Sequence, residues 1–235
     1  MKKIFTFSCL LAMLWCMTGC EAFGLDLQEP YDYDSEKGKY DNRVNQTVWD
    51  FMNSRTDLFS DMLDAIAYAG IDPSFYQQEN CTYLLLTNQS LTSDTESNRS
   101  YFYEHRVFEN PDDTEVFTLP ASWEEMPREE VKQMLMYHVI KGYQLSYDEL
   151  TVMTKGENNF FPTCNEAYPM AVEMQKEGAL SIYFNNFDNH YVAKLKPRTS
   201  NLFSVDSKSY MHVMDNYVQY PDQFALSTIP FYESK

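Results

Sequence analysis

The sequence predicts an α+β domain, and three observations carry that reading. Apolar residues recur at helical spacing around 56–70 and again around 127–142. Alternating apolar residues of strand character gather instead between 180 and 218. Helical segments followed by short strands define a mixed class, and no repeat of 20 to 50 residues points to a solenoid.

Thr47 is placed to cap a short helix through Met52, and Thr56 to open a second one. In the second, Leu58, Phe59, Met62, Leu63, Ile66 and Ala67 fall on one face, and Gly70 supplies the stop. Thr82-Tyr-Leu-Leu-Leu-Thr87, between Asn80 and Asn88, is a short apolar run suited to a buried strand. Residues 92–122 break the pattern: polar residues mix irregularly with Tyr101, Phe102, Tyr103, Phe108 and Phe117, and Asn110-Pro-Asp-Asp marks a turn. They read as an insertion.

Pro127 stands where a first helical residue belongs, and Glu129 and Glu130 complement the positive end of the helix. Val131, Met134, Leu135 and His138 share a face of that helix, and Gly142 is expected to close it. Leu180 to Leu195 reads as a hairpin turning at Asp188-Asn189, with Ile182, Phe184, Tyr191, Ala193 and Leu195 alternating. A last strand is expected from about Tyr210 to Val218, ending by Pro221.

The first twenty residues read as an address. Lys2-Lys3 precede an apolar run from Ile4 to Trp15, too short for the ~20 residues that span a bilayer. Thr18-Gly19-Cys20 resembles the lipobox of bacterial lipoproteins, in which the cysteine becomes the lipidated first residue. An ordinary cleaved secretion signal is the alternative, although no Ala-x-Ala site follows. Residues 20–45 are acidic and aperiodic, a tether between lipid and domain. They resemble the export tethers of Bacteroidetes surface lipoproteins, which implies an outer-membrane lipoprotein facing outward. The organisation expected is a signal segment at 1–19, the tether at 20–45, one domain at 46–222 and a tail at 223–235.

The chain has 235 residues and a formal net charge of −17. Removing residues 1–19, which carry Lys2 and Lys3 and no acid, leaves 16 basic against 35 acidic residues, a net −19. Such a surface argues against nucleic acid and against charge-driven binding to anionic lipid, so a membrane contact would have to run through the lipid anchor. Of five cysteines, Cys9 and Cys16 leave with the signal and Cys20 carries lipid. Cys81 and Cys164 remain, and either one disulfide or two free thiols fits an exported compartment.

Three segments in this order resemble the signature of the fasciclin (FAS1) domain. Thr82, Thr87 and Asn88 match the family's first motif, with Leu85-Leu86 in place of Ala-Pro. Leu135-Met-Tyr137-His138-Val-Ile-Lys-Gly142 matches its central Tyr-His motif. His212, Asp215 and Pro221 match the last motif, in which Lys208-Ser209 stands where the family has Asn-Gly in a tight turn. The resemblance covers roughly 47–221 and implies a wedge-shaped β-sandwich with a cluster of helices. It also implies adhesion or ligand binding without widespread catalytic activity, and with the signal segment and Cys20 the expectation is a cell-envelope protein with a protein or glycan partner and no cofactor.

His138 and His212 fit buried imidazoles with a hydrogen-bond partner. The functional alternative is that Tyr137 and His138 form a recognition surface, as the resemblance implies. Neighbours on a helix diverge by about 100°, so Tyr137 is expected to be the exposed one of the two. Tyr101, Tyr103 and Phe108 are candidate recognition residues, either as stacking platforms for sugars in an accessory glycan-capture lipoprotein or as interface anchors. The bland reading has Tyr101 and Tyr103 covering the sheet while Phe102 plugs the core.

No histidine pair has zinc spacing, and Asn110, Asp112, Asp113 and Glu115 lack the glycine an EF-hand loop needs. The carboxylates of Glu124-Glu125 and Glu129-Glu130 are sequence neighbours that do not face each other across a bond. With no Gly-x-Ser-x-Gly and no phosphate loop, no catalytic or metal residue is assigned. A hydrolase with an unrecognised site is the remaining enzyme reading.

Overall fold

The computed structural model describes residues 41–95, 99–110, 113–147, 150, 159–177, 179–188, 190–195 and 201–221. The chain divides into two units, Met1–Asp41 and Asn42–Lys235. The expected signal segment, Cys20, most of the tether, Asn189 and the tail at 223–235 lie outside the described residues. Among the described residues no helix is long and apolar enough to cross a membrane.

The second unit is α+β. Helix α1 (Val48–Ser54) opens on Thr47, whose Oγ1 accepts from the Asp50 N–H at 3.1 Å. Helix α2 (Thr56–Ala69) buries Phe59, Met62, Ala65, Ile66 and Ala69, one stripe of its surface. Gly70 ends α2 at φ 70°, with Gly70 N–H donating to Ala67 and Ile71 N–H to Ile66, a Schellman closure that a side chain would strain. Strand β2 (Cys81–Leu86) is buried at every position and lies between two partners in the sheet.

That sheet runs β1 (Arg43–Val44), β10 (Leu202–Ser204), β11 (Ser209–Met214), β2 and β5 (Val139–Lys141). β11 pairs β2 in parallel, Tyr210 beside Thr82 through Met214 beside Leu86. A second sheet holds β6 (Asn159–Phe161), β7 (Met170–Glu177), β8 (Ala179–Phe184) and β9 (Ala193–Leu195), all antiparallel. Met174, Ile182, Phe184 and Leu195 from it join Leu84, Leu86 and Met211 of the first sheet in the hydrophobic core. Residues 88–125 form α3 (Asn88–Thr92), α4 (Tyr101–Glu104), the separate hairpin β3 (Val107–Asn110) and β4 (Asp113–Thr118), and a 3₁₀ turn at Trp123–Glu125.

Helix α5 (Arg128–Tyr137) is shorter than its sequence suggests. Pro127 is its N-cap and not its first residue, and it ends at Tyr137 instead of running to Gly142. Pairing with β2 overrides helical continuation: β-branched Val139 and Ile140 take places beside Tyr83 and Thr82. Gly142, at φ 78°, follows β5 and not the helix. The last strand likewise stops at Met214, and residues 215–221 run on without regular structure. The sequence pattern does not predict strand β7.

The motif residues fasten these elements together. Thr82 Oγ1 donates to the Tyr143 carbonyl at 2.7 Å and accepts from Leu145 N–H at 2.8 Å. Thr87 donates through both N–H and Oγ1 to the Met214 carbonyl, each at 3.1 Å. Asn88 reaches α2, accepting from Asp61 N–H at 3.0 Å and donating to Ser60 Oγ at 2.9 Å. Lys208 adopts φ 46°, so the tight turn before β11 forms without glycine. Asp215 is half-buried and Pro221 buried.

Cys81 and Cys164 are free. β5 lies between them: Cys81 is beside Lys141 on one edge, while Cys164 N–H donates to Val139 on the other. Two strand spacings amount to ~10 Å, beyond the ~7 Å that a disulfide can bridge. Burial, with the neighbouring Cys81 second, pushes the Cys164 thiol up to about 11.

Candidate ligand-binding cleft

Both motif histidines are buried and fully bonded. His138 Nδ1 lies 2.8 Å from the Met134 carbonyl, and its Nε2 lies 2.8 Å from the Val218 N–H. A carbonyl only accepts and an N–H only donates, so Nδ1 carries the proton and Nε2 accepts. His212 is the opposite tautomer, donating from Nε2 to Leu145 at 2.8 Å and accepting at Nδ1 from Asn201 N–H at 3.0 Å. Burial outweighs the bond to a carbonyl in each case and lowers both pKa values to about 4.

Tyr137 is 0% exposed, which corrects the expectation that it faces solvent. Helical divergence does not separate the pair because the helix ends here, with buried partners on both sides. Tyr137 Oη donates to the Pro169 carbonyl at 3.2 Å and accepts from Asn185 Nδ2 at 2.7 Å. The motif is therefore a clasp and not an exposed recognition surface. Tyr101 (4% exposed) and Tyr103 (7%) are also buried, which removes both as free-standing platforms. Tyr103 packs edge-on against Phe117 at 5.4 Å, and the Arg106 guanidinium lies over Tyr103 at 4.2 Å and over half-buried Phe108 at 5.0 Å. That cluster braces the β3–β4 hairpin.

Of these candidates, Tyr101 borders a cleft among the described residues. The cleft holds about 580 Å³ and lies between the outer face of α5, the α4 end, residues 165–168 and the segment 217–220. Glu129, Glu130 and Gln133 form one wall, Tyr101 and His105 another. Tyr168 and Tyr220 stack at 4.9 Å and 24°, and Tyr217 meets Tyr101 edge-on at 5.4 Å. Burial raises the pKa of Tyr101, Tyr217 and Tyr220 above that of a free phenol, so all three are neutral hydroxyls.

The floor of the cleft is pinned from behind. His138 takes the Val218 N–H, Asn185 Nδ2 donates to the Gln219 carbonyl at 2.7 Å, and His190 Nε2 donates to the Tyr220 carbonyl at 2.9 Å. Asn185, itself at φ 51°, also accepts the Ala171 N–H at 3.0 Å. The Tyr-His motif thus positions the cleft without entering it, apart from Met134 one turn earlier.

A second cleft of about 590 Å³ lies between α2 and the Trp123 turn, lined by Asp61, Asp64, Tyr68 and Arg128. Its polar groups are partly used: Thr92 Oγ1 donates to Asp61 at 2.6 Å, and Arg128 lies over the Tyr68 ring at 5.2 Å. Among the described residues no group of three or more His, Cys, Asp or Glu could hold a metal ion. Asp112 and the side chains of Asp113 and Glu115 lie outside the described residues.

No family model and no curated protein matches the chain. Among solved structures, it is similar to the FAS1 domain pair of the insect cell adhesion molecule fasciclin I, at 14% identity and a TM-score of 0.40. The match covers 80% of this chain and 51% of that one, so the chain spans about half the length of the fasciclin I pair.

Proposed function

We propose that this chain is a non-enzymatic module of the cell envelope, built on a FAS1-type wedge and held by lipid on Cys20, that grips a protein or glycan partner in the tyrosine cleft. The observation that carries the reading is the use of the two motif histidines. Each spends both ring nitrogens on main-chain hydrogen bonds in the interior, leaving neither free as a general base or metal ligand. Beside them, the cleft offers rings and carboxamides suited to holding a ligand. The Lys2-Lys3 start, the short apolar run and Thr18-Gly19-Cys20 support the anchor, and the order of the three motifs supports the family.

Alkyne-palmitate fed to the native host tests the anchoring directly. Wild-type protein is expected to take the label and sediment with membranes, and Cys20→Ala to lose both properties. An unlabelled wild-type protein would overturn the lipid-anchored half of the proposal.

A further inference from the structure

We infer that the tyrosine cleft selects an organic ammonium group carried on an apolar body. This rests on the reading of the cleft as the binding surface and adds the chemistry of what it binds.

Size comes first. About 580 Å³ suits a small molecule or a single inserted side chain, within the ~300–1,000 Å³ typical of ligand pockets. Charge then narrows the choice. The formal charges on the lining are Glu129 and Glu130, and no lysine or arginine lines the cleft. Glu129 accepts from Gln133 Nε2 at 2.7 Å, a neutral donor, and neither carboxylate is ion-paired to a described basic side chain. The protein as a whole carries −17. Phosphates, uronic acids and other anions meet repulsion there with no cation to offset it.

The rings supply attraction of the right sign. Half-buried Tyr168 and Tyr220, stacked on each other, and the buried edge-on pair Tyr101 and Tyr217 line the cleft. The face of a phenol ring carries negative electrostatic potential, so several rings around one site favour a cation with an apolar skirt over a neutral isostere. Burial, and after it the charge of nearby Glu130, raises the pKa of the Tyr101 phenol, so an exposed carboxylate stands close to one of the lining rings.

An ammonium group of this kind can belong to a small amine or to a lysine on a protein partner. Isothermal titration of the folded domain with choline, its neutral carbon isostere dimethylbutanol, a single-lysine peptide, that peptide acetylated on lysine, and maltohexaose separates the possibilities. Choline or the lysine peptide is expected to bind about tenfold or more tighter than its neutral counterpart. Binding should weaken with added salt, and weaken about tenfold again in the Glu129→Gln/Glu130→Gln double variant. Both glutamates are exposed, so that variant should keep the wild-type melting temperature. Preference for the lysine peptide over choline assigns the ligand to a protein, and the reverse to a small amine.

Equal binding of charged and neutral members, or a double variant that binds as the wild type does, would overturn the inference. Maltohexaose binding that Tyr168→Ala abolishes, with choline and the lysine peptide inert, would also overturn it while leaving the binding-module reading intact. Failure of every probe overturns it too, and the reading of the cleft as a partner surface then stands or falls on crosslinking in the native envelope.

Discussion

Acidification from pH 7 to below pH 4 is expected to destabilise the domain by about 6 kcal/mol, about 3 from each motif histidine. His138 and His212 have folded pKa values of about 4, against 6.5 for a free imidazole. Between those values the unfolded chain takes up protons that the folded chain refuses. The stability is therefore fully present above about pH 6.5, falls as pH drops, and is gone below about 4, where both states are protonated. The steepest slope is about 2.7 kcal/mol per pH unit, the signature of two protons. Protonation of His138 removes the acceptor of the Val218 N–H, and protonation of His212 removes that of Asn201. A loss of this size rivals the total stability of many domains. Urea midpoints measured by circular dichroism at pH 7, 5.5 and 4.5 check it; a flat profile across that range would mean that the imidazoles are accessible or already charged.

Asn185→Leu is expected to cost about 4 kcal/mol or more, well beyond the loss of any one of its hydrogen bonds. Asn185 is fully buried, and its side chain serves three elements: the Tyr137 hydroxyl on α5, the Ala171 N–H on β7 and the Gln219 carbonyl in the cleft floor. Leucine matches it in size yet leaves the Ala171 N–H buried without a partner and takes the donors from the Tyr137 hydroxyl and the partly buried Gln219 carbonyl. It must also adopt φ 51°, a region asparagine tolerates better. Asn185→Gly relieves the backbone but not the lost bonds, so it should fall between leucine and the wild type. Chemical denaturation decides; a leucine variant within about 1 kcal/mol of the wild type would show that the three bonds do not hold the fold.

Asn185 also shows where sequence reading stops. Its partner Tyr137 lies 48 residues away, and nothing local marks either as buried. The elements that were legible are those whose signals are local. Thr47 and Gly70 cap helices that also carry an apolar stripe, and the run 82–87 is too apolar for anything but a buried strand.

Strand β7 was missed for an identifiable reason. Met170, Val172 and Met174 alternate as a strand should, but Glu173 among them and Gln175 and Lys176 after them are strong helix formers and hide the period. Glu173 moreover ends buried, its carboxylate bonded to Gln175 and Asn186, which no pattern of exposed polar residues suggests. The end of α5 at Tyr137 likewise depends on pairing with β2, a tertiary contact.

Of the cleft lining, the sequence marks Tyr101 alone as a recognition residue; Tyr137 and His138, marked with it, lie outside the lining. Asn165, Tyr168, Tyr217 and Tyr220 escaped notice because they sit on irregular segments without period. The usable signal was compositional: Tyr217, Tyr220 and Pro221 crowd into the stretch just after the last strand, where a solvated exit would favour polar residues. Tyr137 and His138 hold the cleft floor in place, and the binding role is proposed for the residues that line the cleft.

If partners meet this protein at the tyrosine cleft, as proposed, site-specific photocrosslinking in the native envelope will capture them there. Benzoylphenylalanine at Gln133, inside the cleft, should yield a discrete crosslinked product on intact cells, and the same group at exposed Val205 should yield none. Crosslinks from Val205 alone, with Gln133 silent in a protein that folds and reaches the membrane, would contradict the account.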